Sequence, residues 1–170
     1  MDIKEFFTQS TGKWFSQRTN HHLNPPHLEA GKTDLWIDTL PTSDPDVIKL
    51  CEQHKIDPST ASFGVRVKWD AKIGPNEIKQ TGTTLLIPIP NPENPKTGQI
   101  LQQSAGIGDY NLGNDQALTI TLKNPSFSVE ERIWFESPNL RLRTSTVNHS
   151  NGSSVASFCS EIRMGGAPAK

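Results

Sequence analysis

Arg141 and Arg143 stand two residues apart in the stretch WFESPNLRLRTSTV (134–147), alternating with Leu140 and Leu142. In an extended strand, alternate side chains point to opposite faces. The two arginines therefore share one face and the two leucines the other, with the guanidiniums about 6.5–7 Å apart along the strand. A guanidinium is always charged and grips a carboxylate through two parallel hydrogen bonds. Two on one face suit a flexible molecule that carries two carboxylates. That chemistry needs the arginine face turned into a cavity. If the leucine face turns inward, the arginines are a solvated rim, their stems lying along apolar surface. Periodicity alone permits both.

Other residues could join such a site. Trp14 and Arg18 share a face of an early extended stretch that also carries His21 and, next to it, His22. Trp69 ends a face of alternating apolar residues, Phe63, Val65 and Val67. Glu131 lies in VEERIWFES, where Arg132 and Trp134 share a face. Cys159, Glu161 and Arg163 share a face of the last extended stretch. Each also has a plain structural reading. Tryptophans anchor cores, histidine pairs sit at surfaces, and Glu130, Glu131 and Arg132 make a solvated edge. Trp36, between Asp34 and Asp38, reads as exposed or at a rim. The two cysteines, Cys51 and Cys159, read as buried small hydrophobes. No CxxC or HExxH spacing offers a metal site, so no metal is expected. GxSxG, GxxxxGK[ST] and GxGxxG are all missing, which argues against a nucleophile elbow, a P-loop and a dinucleotide fold.

The elements that must hold these residues follow from period and punctuation. Ile3, Phe6 and Phe7 have helical spacing, with Gly12 as a stop. An extended stretch runs from Lys13 to Leu23, and a second from His27 to Leu40 with a turn at Gly31–Lys32. Ser43 or Asp44 can cap a helix over 44–54 with Pro45 in its first turn, and Val47, Ile48 and Cys51 lie on one face. Beyond it the period is two almost to the end, broken by turns at NPENPKTG, NPS, Pro138–Asn139 and HSNGS. Eight to ten short strands at such spacing predict an all-β fold with short helices, a sandwich or barrel; successive hairpins favour an antiparallel up-and-down meander. Closed on itself, it is wide enough to hold one small ligand.

A chain of 170 residues is one domain by size, here 1–164 with a flexible tail at 165–170. Net charge −1 gives no electrostatic footprint for nucleic acid. A mean hydropathy of −0.54 and the lack of a long apolar run predict a soluble chain with no membrane span. The start MDIKEFFTQS does not read as a signal peptide, which points to a cytoplasmic protein with reduced cysteines.

Four blocks carry a resemblance: IKEFFTQSTGKWFSQRTNHHL, VIKLCEQHKIDPS, EERIWFESPNLRLRTS and ASFCSEIRMG. They span most of the chain and resemble the S/U-type phycobiliprotein lyases, the CpcS/CpeS/CpcU family. The resemblance implies a lipocalin-like, fatty-acid-binding-protein-like barrel of about ten strands. It implies binding of an open-chain tetrapyrrole, phycocyanobilin or phycoerythrobilin, as substrate, with no further cofactor. The client is an apo-subunit of phycocyanin, allophycocyanin or phycoerythrin, whose cysteine forms a thioether with ring A of the bilin. The lyase presents an oriented bilin to that thiol. On this resemblance Arg18, Arg141 and Arg143 meet the propionates, while Trp14, Trp69 and Trp134 pack on pyrrole rings. Glu161, Glu131 and His21 are the acid–base candidates. A homodimer, or a heterodimer with a homologous subunit, in a cyanobacterial cytosol or plastid stroma is implied. In GQILQQSAGIGDYNLG the family's GYAE element is missing, and Gln102 and Gln103 replace an expected basic residue and its neighbour. This departure fits a U-type partner, or a bilin carrier, that works only beside an S-type subunit.

Overall fold

The computed structural model describes residues 1–23 and 25–165; the tail expected to be flexible lies, from residue 166 on, outside the described residues. Ten antiparallel strands close into a barrel. They are β1 (Gly12–Leu23), β2 (Pro26–Leu40), β3 (Gly64–Ile73), β4 (Ile78–Asn91), β5 (Asn94–Gln102), β6 (Gly106–Leu112), β7 (Leu118–Lys123), β8 (Phe127–Ser137), β9 (Leu140–His149) and β10 (Ser154–Met164). Each strand pairs with its neighbours in sequence, and β1 pairs with β10, which closes the up-and-down meander on itself.

Helix α1 (Ile3–Ser10) precedes β1 and plugs one end. Its N-terminus is a capping box: Asp2 accepts from the Glu5 backbone, and the Glu5 carboxylate accepts from the Asp2 backbone. Ile3, Phe6 and Phe7 share the buried face and enter the barrel. Phe6 meets Phe135 edge-on at 5.4 Å, and Phe7 meets Phe63 at 5.9 Å. Beside them Trp14 is fully buried, its indole N–H donating to the Ser10 carbonyl at 2.9 Å. Among the described residues, the opposite end carries only the turns that follow the odd-numbered strands.

Helix α2 (Pro45–Gln53) packs outside the barrel. Asp44 caps it, and Val47, Leu50 and Cys51 cover the outward residues Leu85, Ile87 and Leu101. Gly64 permits this approach, since a Cβ there would lie 2.6 Å from Val47 Cγ2. The inner helical row is thus completed by Leu50, with Ile48 only half-buried. The turn expected at Gly31–Lys32 does not form. Gly31 is held in ladders on both sides, opposite Arg18 and Ile73, and β2 runs through it unbroken.

Trp14→Ala removes a fully buried indole and its hydrogen bond. It is expected to lower unfolding stability by about 3–5 kcal/mol in urea titrations; a loss below about 1 kcal/mol would show that the plug is not part of the core.

Candidate functional site

Above the plug the barrel is hollow. A cavity of about 360 Å³ opens away from α1, and its two walls differ in chemistry. The wall from β2 and β3 is mostly apolar, with Leu35, Ile37, Val65, Val67, Trp69 and Ala71. The Trp69 indole lies across Gly82 of β4, directly opposite in the ladder; a Cβ there would sit 2.3 Å from the ring. Gly82 thereby fixes where the indole face of the cavity lies.

The other wall, from β1, β8, β9 and β10, is charged. Arg141 stands opposite Glu161 in the β9–β10 ladder. Its Nε donates to Glu161 Oε2 at 2.5 Å, and a terminal nitrogen of Arg143 donates to Glu161 Oε1 at 2.7 Å. Arg143 also reaches Glu131 at 3.3 Å. Its Nε is buried without a hydrogen-bond partner among the described residues. Arg18, from β1, donates through Nε to Cys159 Sγ at 3.2 Å. Three guanidiniums face two carboxylates, so the cluster holds one excess positive charge. Burial by itself would raise the Glu161 carboxyl pKa, but Arg143, Arg141 and Arg18 outweigh it and hold the carboxyl below its ordinary value. Burial would likewise lower the pKa of Arg143; Glu161 and Glu131 reverse that and raise it. The arginine face therefore looks inward, and Leu140 and Leu142 look out.

Arg18, Trp69, Glu131, Arg141 and Arg143 all line the cavity. Glu161 stands behind them, fully buried, and acts as the anchor that aims two arginines. Trp14 lies below the cavity, not in its lining. The guanidinium of Arg141 lies 5.1 Å from one of its rings, and that of Arg163 4.2 Å. Arg163 in turn donates to the Gln9 and Thr11 carbonyls, both at 2.5 Å, and locks the C-terminus of α1 to the barrel. Two expected residues are elsewhere. His21 is exposed on the outer face, because Arg18 and Asn20 point in and His21 has the opposite parity. Trp134 is also on the outside, opposite Leu142, with its indole N–H on Glu136 at 2.7 Å. Asn20, Gln80 and Gln102 also line the cavity; Gln102 was singled out in sequence, and the inward parity of Arg18 could have found Asn20. Among the described residues, no group of three His, Cys, Asp or Glu is placed to hold a metal, and no helix is long and apolar enough to cross a membrane. Cys51 and Cys159 are both buried and unbonded to each other.

The comparisons with known proteins meet this geometry. The model of the CpeS-like protein family matches residues 2–164. The chain belongs to the CpeS-like family. It is 45% identical to a chromophore lyase CpcS/CpeS of Thermosynechococcus vestitus, covering 97% of this chain and 94% of that one. It is 34% identical to a phycocyanobilin lyase subunit CpcS of a Picosynechococcus species, covering 98% and 88%. The solved S-type phycobiliprotein lyase CPES of Guillardia theta superposes with a TM-score of 0.87 at 26% identity, covering all of this chain (100%) and 95% of that one. The CpeS-like fold expected from the four sequence blocks is thus the observed one.

Because the folded Glu161 carboxyl is held below its unfolded value of about 4.3, its stabilisation is complete well above that pH and is lost as pH falls through and below it. Glu161→Gln leaves buried Arg141 without a carboxylate and Arg143 with Glu131 alone, and is expected to cost about 3–5 kcal/mol near neutrality. It should also flatten the loss of stability below about pH 5. Denaturant titrations across that range check both; an unchanged acid slope contradicts the anchor role.

Proposed function

We propose that this chain is a phycobiliprotein chromophore lyase: it binds an open-chain bilin and promotes thioether formation with a cysteine of an apo-phycobiliprotein subunit. The observation that carries this reading is the two-walled cavity. A bilin has a conjugated, largely apolar body and two propionates. The apolar wall with Trp69 suits the first, and the arginine cluster suits the second. Arg18 and Arg143 are the natural propionate ligands. Arg18 bonds only to a thiol among the described residues, and Arg143 has its weaker contact with half-exposed Glu131. One propionate offsets the excess charge, and the other competes with Glu131 for Arg143. Glu131, so released, is the acid–base candidate in the cavity. Arg141 and Glu161 act through position.

The reaction is an addition. The client sulfur bonds to the exocyclic carbon of the ring A ethylidene, and the proton goes to the ring carbon that shared the double bond. No oxidant or reductant enters, and no cofactor is required. The chain's part is to hold the bilin extended with ring A at the open end, which converts an undirected addition into an oriented one. Phycocyanobilin and phycoerythrobilin both meet these demands, as do clients of the phycocyanin, allophycocyanin and phycoerythrin classes. The site of action is a cyanobacterial cytosol or plastid stroma.

A second reading rests on Gln102, which lines the cavity where the family motif carries a basic residue. On it the chain binds bilin but transfers it only in a heterodimer with an S-type subunit. Co-expression with a bilin pathway and single apo-subunits, with and without such a partner, separates the two by whether coloured adduct needs the partner.

Arg18→Ala strands no hydrogen-bonded carboxylate, so it is the cleanest single test. It should weaken phycocyanobilin binding by about 1–3 kcal/mol in an absorbance titration. No spectral change with the wild-type chain sinks the bilin reading itself; unchanged affinity in the variant removes Arg18 from the propionate site.

A further inference from the structure

The outer face of β2, β3 and β4, near the open end, carries a row of charge that the cavity does not use. Register places Lys32 opposite Lys72, and Lys72 opposite Lys79. Their neighbours Gly31, Thr33, Ala71, Ile73 and Gln80 line the cavity, so the three lysines point outward, and all three are exposed. Adjacent strands lie about 4.8 Å apart, which sets three ammonium groups side by side. Like charges directly opposite each other destabilise a sheet. Among the described residues none of the three is paired with a carboxylate. Asp34 and Asp70 stand opposite each other in the next outward row, and Glu29 and Glu77 lie towards the turns.

Above this row the rim carries exposed apolar side chains, beside the stacked rings of His22 and His27. The three most exposed large apolar side chains are Leu28 at 68%, Ile78 at 61% and Leu23 at 55%. All three belong to the β1–β2 and β3–β4 hairpins. Pairing of β2 with β3 ends at Gly31, where the Ala30 carbonyl accepts from Gly74 N, so Pro26–Glu29 rise beyond the β3–β4 turn. The result is a lysine row beneath a raised apolar lip, on one side of the cavity opening.

We propose that this lip and lysine row are the docking surface for the acidic protein that brings the acceptor thiol, the apo-phycobiliprotein subunit. The identity of that partner rests on the lyase reading. Place argues for it, because a thiol must reach ring A at this opening. Charge argues for an acidic partner, since the row repels itself until opposite charge meets it, in a chain whose net charge is −1. A two-fold dimer through this face would bring the row against its own copy, which the same repulsion opposes.

The test compares Lys32→Glu/Lys72→Glu/Lys79→Glu with a control of equal charge change elsewhere, Lys4→Glu/Lys55→Glu/Lys96→Glu. Binding to immobilised apo-subunits of phycocyanin, allophycocyanin and phycoerythrin is measured at about 50 and 300 mM salt, spanning strong and weak screening. A parallel phycocyanobilin titration reports on the cavity. The wild-type chain should bind at least one apo-subunit, more weakly at high salt. The row variant should lose at least about tenfold with its salt dependence flattened, the control less than about twofold, and the bilin titration should match wild type in both. Leu28→Ser/Ile78→Ser should lose several-fold with the salt dependence kept. The proposal is overturned if no apo-subunit binds, if the row variant binds like wild type, if the control loses as much, or if the row variant also loses bilin. Failure of the lyase reading shows separately, as a wild-type chain that gives no spectral change with bilin.

Discussion

The buried carboxylate of Glu161 is the constraint on which the site depends. It holds Arg141 and Arg143 at once, from a position with no solvent exposure. An isolated charge there would be expelled or neutralised; two guanidiniums make it tolerable. The reverse also holds, since the two arginines can sit inside a barrel only because a carboxylate meets them. The register of β9 on β10 sets Arg141 opposite Glu161 and Arg143 two residues away on the same face. A slip of one residue would turn the whole row outward. The ion pairs therefore specify register as well as chemistry.

The barrel divides into a packed half and a hollow half. Phe6, Phe7, Trp14, Phe63 and Phe135 fill the end closed by α1, and Arg163 ties that plug down through carbonyls at the helix C-terminus, where a cation is favoured. Packing at one end leaves the other free to be hollow. Rigidity matters for an orienting catalyst: a cavity that holds ring A at a fixed point loses its purpose if the floor moves. The buried thiol of Cys159, opposite both Arg18 and Arg143 in the ladders, belongs to this wall rather than to the acceptor chemistry.

Most of the architecture was legible in the sequence, because period-two patterning and turn residues mark strands directly. The Gly31–Lys32 turn was not, since a glycine between two paired strands looks the same in sequence as one at a bend. The inward direction of the arginines was also beyond periodicity, which assigns two faces but not which is inside. His21 was decidable: an odd offset from Arg18 on one strand puts it on the opposite face. Trp134 shows a different limit. Counting back from the Pro138–Asn139 turn with Ser137 opposite Leu140 pairs Trp134 with Arg143. An irregularity between Phe135 and Ser137 shifts the register by one, so Trp134 meets Leu142 and faces out. One extra residue in a hairpin carried an indole from the cavity to the surface.

The central claim is that two ligand carboxylates are held by the charged wall. The most direct measurement compares phycocyanobilin with its dimethyl ester, which keeps the conjugated body and removes both negative charges. At least about tenfold weaker binding of the ester, with the difference narrowed in Arg18→Ala, is the expected result. Equal affinity for acid and ester in the wild-type chain would mean that the arginines hold the barrel together and nothing more.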